Sequence, residues 1–162
     1  MKIITVVGPP GSGKTLVATS VAIYLYLASA STVYIDATPD KTGAKLVKNY
    51  VPLAADIHEA RDMDADYAVI DAPPYEVPRA NYYVVVLEQP DLKVVRIPKE
   101  PNVKVVANKL TSKWMLWRER LAIPYDPTIA WSMQEGYPPL AVANVKSWRR
   151  IRNIAKEIGD AV

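Results

Sequence analysis

Apolar residues in this chain form short continuous runs instead of alternating with polar residues. The runs cover residues 3–7, 32–37, 67–71, 82–88 and 103–109, and they are rich in Val, Ile and Tyr. Turn-forming Gly, Pro, Asn or Asp residues bound most of them. Continuous runs of this kind are typical of strands that are covered on both faces, as in parallel sheets. The pattern therefore predicts five strands of a largely parallel sheet.

Helical segments are predicted between these strands. Residues 14–29 contain no glycine or proline and connect the first two runs, which predicts a right-handed strand–helix–strand unit. Further helices are predicted at 41–50, 112–121, 127–135 and 146–159. The last one places Trp148, Ile151, Ala155 and Ile158 on a single face. We therefore predict one α/β domain over residues 1–162, a mostly parallel β-sheet covered by helices on both faces.

Composition excludes several classes of site. The 162 residues include no cysteine and one histidine, so disulfides, thiolate metal sites and histidine metal sites are not expected. His58 is expected to be solvated. The net charge of +3 permits a polyanionic partner without requiring one. We see neither a signal peptide nor a membrane-spanning run, and we expect a cytoplasmic protein. The lack of cysteine and the 14 prolines suggest a thermophilic source.

The segment "VVGPPGSGKTLVA" carries the strongest chemical signal. Gly8, Gly13, Lys14 and Thr15 satisfy the phosphate-loop pattern G-x-x-x-x-G-K-[ST] between a predicted strand and a predicted helix. Glycines allow backbone N–H groups to surround a phosphate, the lysine reaches the β- and γ-phosphates, and the threonine hydroxyl binds Mg²⁺. The fold class is thus refined to a P-loop NTPase. The residues expected to contact nucleotide in this loop are Gly8, Pro9, Pro10, Gly11, Ser12, Gly13, Lys14 and Thr15.

Two aspartates end predicted strands and are candidate magnesium ligands. Asp71 closes "YAVID", where a Walker B aspartate belongs, and Asp36 closes "VYID". The carboxyl ends of parallel strands meet at one sheet edge, so both should lie near the phosphate loop. Thr15, Asp71 and Asp36 are the predicted metal ligands. The alternative for either aspartate is a turn residue at a strand end.

Several motifs, in order along the chain, resemble those of ParA/MinD-type ATPases, the deviant Walker A group of P-loop proteins. "VYIDATPD" is similar to their I-D-x-D-P segment, "DYAVIDAPP" to their Walker B segment, and "VVLEQPD" to their next strand and turn. "VVANK" resembles their base-binding motif, and "LAIPYDPTIAWSMQEGYPPL" their late I-P-x-D and G-x-P segment. Family members are usually longer, so this chain resembles a reduced version.

The resemblance implies an ATP-dependent switch that works as a homodimer, in plasmid or chromosome partition or in cellular positioning. It implies that Lys14, Thr15 and Asp71 serve ATP and Mg²⁺ and that Asn108 binds adenine. A GTPase would carry N-K-x-D, whereas "NKLT" places Thr111 at the position of the guanine-binding aspartate. ATP is therefore the expected nucleotide.

Two departures from the family pattern concern catalysis. Pro9 stands where the family has its signature lysine, and Thr38 stands where it has a water-orienting aspartate. We expect slow ATP hydrolysis, assisted by Lys14 and by Asp36 or Asp40 in place of the missing aspartate. Arg118 and Arg120 in "WRERL" are candidate cations in place of the missing signature lysine. The alternative for these arginines is a solvated helix face.

The last predicted helix is basic on the face opposite its apolar one. This basic face is typical of nonspecific DNA binding through contacts to backbone phosphates. The alternative is a basic face that is exposed to solvent and binds no partner. A membrane anchor is unlikely, because the chain ends in "EIGDAV" and not in a basic apolar tail. Trp114, Trp117 and Trp131 are expected to pack internally, with base stacking as the alternative; Trp114 and Trp117 could instead cover a subunit contact. The basic residues of the helix are Lys146, Arg149, Arg150, Arg152 and Lys156.

Two other functions fit the same residues. A small P-loop kinase could transfer the γ-phosphate to a metabolite, with Asp36 accepting the proton of the acceptor hydroxyl and the arginines forming a lid. A nucleotide-binding module without turnover would explain Pro9 and Thr38 as lost catalytic groups.

Overall fold

Six parallel strands form one sheet in the computed structural model, which describes residues 1–28 and 30–162. The strand order is β2-β3-β1-β4-β5-β6, and every neighbouring pair is parallel. The predicted parallel α/β fold is thus confirmed. The strands are β1 (Lys2–Val7), β2 (Thr32–Asp36), β3 (Tyr67–Asp71), β4 (Tyr82–Glu88), β5 (Val103–Leu110) and β6 (Ala122–Pro124).

Six helices connect or flank these strands in the described residues. Short 3₁₀ turns occur at Asp91–Lys93 and Pro139–Ala141. The helices are α1 (Lys14–Leu27), α2 (Thr42–Val47), α3 (Ile57–Asp62), α4 (Lys113–Arg118), α5 (Pro127–Gln134) and α6 (Trp148–Ala161).

The five predicted strands are present, and the structure adds elements that the pattern did not indicate. The three-residue strand β6 was missed, and the helix predicted over 112–121 ends at Arg118 to allow it. Helix α3 was also missed, although Asp56 caps it by accepting hydrogen bonds from the backbone N–H groups of His58 and Glu59. His58 is exposed, as predicted. Residue 29, at the end of the helix predicted over 14–29, lies outside the described residues.

The sheet is covered on both faces, which explains the continuous apolar runs. Helix α1 packs between the sheet and α6, and it contributes to the larger core cluster together with residues of β1, β3, β4 and β5. A smaller cluster, with Val33, Ala60 and Ile70, fills the opposite face under α3. The apolar face of α6 is confirmed, since Ile151, Ala155 and Ile158 are buried and Trp148 is half-buried. No helix in the described residues is long and apolar enough to cross a membrane.

The strand register brings the candidate chemistry to one edge of the sheet. Asp71 lies opposite Asp36 of β2 on one side and opposite Val6 of β1 on the other. Asn108 of β5 lies opposite Glu88 of β4. The carboxyl ends of these strands therefore surround the loop that follows β1, as is usual for ligand sites in parallel α/β sheets.

Candidate nucleotide-binding site

The loop between β1 and α1 has a backbone shape that depends on its glycines. Gly8, Gly11 and Gly13 have φ angles of 155°, 74° and 97°, which side chains of L-residues rarely allow. A Cβ atom at Gly8 would overlap the carbonyl oxygen of Val86 in β4, and one at Gly13 would overlap the amide nitrogen of Asn108. The loop is thus held against two neighbouring strands at positions where only glycine fits. The N-terminus of α1 follows directly and supplies free backbone N–H groups and a positive dipole end.

Lys14 is folded back into this loop. Its ammonium group donates hydrogen bonds to the carbonyl oxygens of Gly8 and Pro9, both at 3.0 Å, and the residue is 7% exposed. Burial lowers the pKa of Lys14, and the charge of Asp71 partly opposes that shift. An ammonium group has three donors, so one remains beyond the two that hold the loop.

Asp71 is fully buried beneath the loop and is bonded through only one of its oxygens. Its Oδ2 accepts hydrogen bonds from the hydroxyls of Thr15 at 2.6 Å and Tyr34 at 3.2 Å, whereas Oδ1 is buried and has no partner among the described residues. Burial raises the pKa of Asp71 to about 6; hydrogen bonds from Thr15 and Tyr34 oppose this rise, and the charge of Asp36 adds to it. A buried carboxylate oxygen without a partner, beside a threonine hydroxyl, suits the hard oxygen coordination of Mg²⁺. Thr15 and Asp71 are therefore the residues that could hold the metal.

Asp36 lies at the same edge, as predicted, but its carboxylate binds the segment that follows β2. Oδ1 accepts hydrogen bonds from the backbone and hydroxyl of Thr38, and Oδ2 accepts one from the backbone N–H of Ala44 in α2 at 2.8 Å. The hydroxyl of Thr38 also lies 2.9 Å from Asp40. Hydrogen bonds from Thr42 and Thr38 lower the pKa of Asp40. In this arrangement Asp36 anchors the turn, while Thr38 and Asp40 border the cavity described below.

Asn108 and Lys109 clamp the phosphate loop from β5. The side-chain amide of Asn108 donates to the carbonyl oxygen of Ser12 at 2.8 Å, and its oxygen accepts from the backbone N–H of Lys109. Lys109 has a left-handed backbone, with φ 54°, and its ammonium group donates to the carbonyl oxygen of Gly11 and pairs with Glu88 at 2.6 Å. The sequence pattern did not predict this role of Lys109. The "NK" dipeptide was its only signal, and that dipeptide indicated base specificity alone.

A cavity of about 630 Å³ opens beside the loop. Lys14, Thr15 and Asn108 line one side of it, and Thr38 and Asp40 border it from the segment after β2. The remaining wall comes from β6, the turn after it and α5, and it is mainly apolar. The residues of this wall are Pro124, Tyr125, Asp126, Pro127, Ile129, Ala130 and Met133. The size and the mixture of polar and apolar walls are typical of small-molecule sites.

The two arginines proposed as substitute cations do not line this cavity. Arg118 lies over the ring of Trp114 and next to Glu119, and Arg120 pairs with Glu157 of α6. Their side chains are 62% and 82% exposed, which agrees with the alternative of a solvated surface. Among the described residues, the second lysine at the cavity is Lys109.

The expectation that three tryptophans pack internally was wrong. Trp114, Trp117 and Trp131 are 60%, 85% and 49% exposed, because α4 buries no residue fully and α5 buries only Ser132. The basic residues of α6 lie on its outer side, as expected. Arg152 lies over the ring of Trp148, and Lys156 pairs with Asp160. The exposed basic residues of the helix and the turn before it are Lys146, Arg149, Arg150, Arg152 and Lys156.

The fold is similar to that of solved cell-division and partition proteins. The MinD cell division protein of Aquifex aeolicus aligns over 98% of this chain and 97% of its own, with a TM-score of 0.68 and 15% identity. The MinD septum site-determining protein of Pyrococcus horikoshii, complexed with Mg-ADP, aligns over 99% and 98%, with a TM-score of 0.60 and 16% identity. A putative plasmid partition protein of Borrelia burgdorferi, bound to AMPPNP, aligns over 96% and 98%, with a TM-score of 0.60 and 13% identity.

Sequence comparison finds no such relatives: no protein-family model and no curated protein matches this chain. Identities of 13–16% are consistent with that result, since they preserve a fold without a detectable sequence match. The predicted resemblance is nevertheless confirmed at the level of the fold. With its all-parallel six-stranded sheet and its phosphate loop after β1, this chain has the fold of the ParA/MinD-type P-loop ATPases.

Proposed function

We propose that this chain binds ATP with Mg²⁺ and acts as a nucleotide-dependent switch of the ParA/MinD kind. The observation that carries the proposal is the arrangement of Lys14 and Thr15 at a cavity large enough for a nucleotide, with Asp71 buried beneath the loop and bonded to Thr15. A cationic donor and free helix N–H groups line the cavity, and a buried carboxylate lies directly behind the threonine hydroxyl. This is the chemistry that a magnesium-bound polyphosphate requires.

Each group has a definite task in the proposed complex. Lys14 turns from the carbonyl oxygens of Gly8 and Pro9 toward the β- and γ-phosphates, and the backbone N–H groups of the loop surround the β-phosphate. Thr15 and Asp71 hold Mg²⁺, which when bound neutralises phosphate charge. The described residues contain no cluster of three His, Cys, Asp or Glu side chains suited to a metal. Thr15 and Asp71 would therefore be its protein ligands, and the other ligands would come from the nucleotide and from water, as is common for Mg²⁺.

Asn108 is the proposed base-binding residue. It lines the cavity, and after its bonds to Ser12 and Lys109 its amide still has one N–H donor and one acceptor lone pair. Adenine presents a matching donor and acceptor. The apolar wall of α5, with Ile129 and Met133, suits a flat base. We therefore propose ATP in preference to GTP.

Hydrolysis is proposed to be slow in the isolated protein. Pro9 offers no cation, and the hydroxyl of Thr38 is already bonded to Asp36 and Asp40. Asp40 borders the cavity with a lowered pKa and is the remaining candidate for orienting water. The switch would be an ATP-dependent homodimer in partition or positioning, with nonspecific DNA bound through the basic side of α6.

The first test is ATP binding by calorimetry, with and without Mg²⁺. The Lys14→Ala variant is expected to lose ATP affinity while keeping its circular dichroism spectrum, because Lys14 bonds to its own loop and not to the core. Lys48→Ala, at an exposed position after α2, is the matched control. Unchanged ATP affinity in Lys14→Ala would overturn the phosphate-loop assignment.

The second test separates the three candidate functions. Phosphate release is measured for the protein alone, with DNA, and with a panel of metabolites, beside light scattering to count subunits. A switch is expected to show slow turnover and an ATP-dependent dimer. Brisk transfer to a metabolite by a monomer would identify a kinase, and ATP binding without turnover or dimerisation would identify an inactive module.

A further inference from the structure

The structure assigns a role to Tyr34, a fully buried residue of β2 that the proposed function does not use: we infer that its hydroxyl positions Asp71 for Mg²⁺. The inference rests on the proposed function, because Asp71 is a metal ligand only there. Tyr34 is 0% exposed, and its hydroxyl lies 3.2 Å from Oδ2 of Asp71. In the sequence, Tyr34 is one residue of an apolar run and carries no signal of this role.

The hydrogen bonds of Asp71 show why this contact matters. Both donors, Thr15 and Tyr34, bond to Oδ2, so Oδ1 is left as a buried oxygen without a partner in the part of the chain that the structure describes. Thr15 is itself a proposed metal ligand, so its hydroxyl oxygen would serve Mg²⁺ when the ion is bound. Tyr34 is not a proposed metal ligand, and its bond to Oδ2 is independent of the metal. Its hydroxyl therefore fixes the rotation of the carboxylate and keeps Oδ1 presented to the ion.

The position of the Tyr34 hydroxyl is itself fixed by α2. The backbone of α2 lies directly on the phenol at Gly43, where a Cβ would overlap the hydroxyl and lie 2.8 Å from Cζ. Helix α2 is anchored in turn through the bond from Ala44 to Asp36. The phenol is thus held between α2 and β3, with its hydroxyl on Asp71 and no room to rotate away. Hydrogen-bonding partners that orient a metal ligand in this manner commonly determine metal affinity.

The test uses Tyr34→Phe, which removes the hydroxyl and keeps the ring. ATP affinity is measured by calorimetry across a Mg²⁺ titration and again in EDTA. We expect the Mg²⁺ concentration needed for half-maximal enhancement of ATP affinity to rise about tenfold, near the lower end of the usual loss for such a partner. ATP affinity in EDTA should stay within twofold of wild type. A merely structural role would lower both affinities together.

Two comparisons keep the test decisive. Tyr83→Phe removes another tyrosine hydroxyl, which accepts a bond from the backbone N–H of Ala80 and belongs to β4, separated from Asp71 of β3 by β1; it should leave the Mg²⁺ dependence unchanged. In Gly43→Ala, the new Cβ would overlap the Tyr34 hydroxyl from the side of α2 and displace it from Asp71. This variant should therefore raise the Mg²⁺ requirement as Tyr34→Phe does. If wild type shows no Mg²⁺-dependent ATP binding, the proposed function fails. If wild type shows it and Tyr34→Phe matches wild type, the role of Tyr34 is overturned.

Discussion

The buried carboxylate of Asp71 predicts a distinctive dependence of stability on pH in the nucleotide-free protein. Its pKa is raised from 3.8 to about 6, mainly by burial. A carboxyl group with a raised folded-state pKa stabilises the fold fully below its unfolded-state pKa, and this contribution is lost as the pH rises through about 6. A difference of about two pKa units corresponds to about 3 kcal/mol. Ionised Asp71 is therefore expected to destabilise the free protein at neutral pH by that amount.

The perturbation that isolates this effect is Asp71→Asn. The variant keeps an oxygen that accepts the bonds from Thr15 and Tyr34, but its side chain carries no charge at any pH. The new NH₂ group takes the place of an oxygen that already has no partner, and any cost of that exchange does not vary with pH. The free energy of unfolding of wild type minus that of the variant should therefore fall by about 2.4 kcal/mol between pH 4 and pH 7.5, because pH 4 lies just above the unfolded-state pKa and the full difference is reached only at lower pH.

The assay is denaturant unfolding followed by circular dichroism at several pH values, with EDTA present and no nucleotide. Asp62→Asn, at the exposed end of α3, is the matched control and should follow wild type across the range. A wild-type minus Asp71→Asn difference that is flat within about 1 kcal/mol, or that rises with pH, would refute this account of Asp71. A rise would mean that Lys14 stabilises the carboxylate more than burial destabilises it.

Three further outcomes are expected. Asn108→Ala should weaken ATP binding by about 1–3 kcal/mol, the usual cost of an unpaired buried polar group, and should reduce the ratio of ATP affinity to GTP affinity. If calorimetry shows equal affinities for both nucleotides in wild type and in the variant, Asn108 is not the base-binding residue. Restoring the family groups with Pro9→Lys and Thr38→Asp should raise the rate of phosphate release at saturating ATP, because a missing transition-state donor typically lowers the rate about 10²–10³-fold. An unchanged rate in a variant that is shown to dimerise would contradict this explanation. Exchanging three α6 arginines for Gln should reduce the slope of log affinity for DNA against log salt concentration by up to about three. Filter binding at several salt concentrations measures this slope. DNA binding equal to that of wild type would place the DNA site elsewhere. The three arginines are Arg149, Arg150 and Arg152.

Local chemistry determined much of this protein from sequence alone. The strand bounds of β3 and β4 and the glycine loop after β1 follow from continuous apolar runs and from turn residues, which act over a few neighbouring positions. The order of the motifs predicted the fold, which the solved structures share. The carboxyl ends of parallel strands must share one edge, so Asp36 and Asp71 were expected to meet beside the loop, and they do.

The tertiary structure decided which of these groups are free for chemistry. Asp36 and Asp71 look alike in sequence, yet both oxygens of Asp36 accept bonds, one from Thr38 and one from Ala44 of α2, while Asp71 keeps one oxygen unpaired among the described residues. The bond between Asn108 and Ser12 spans 96 residues, and the bond from Lys109 to Gly11 spans 98. Strand β6 exists because β5 pairs with it, and three residues carry too short a pattern to indicate that alone. Contacts between distant segments depend on the packing of the whole chain, so no local pattern of residue types encodes them.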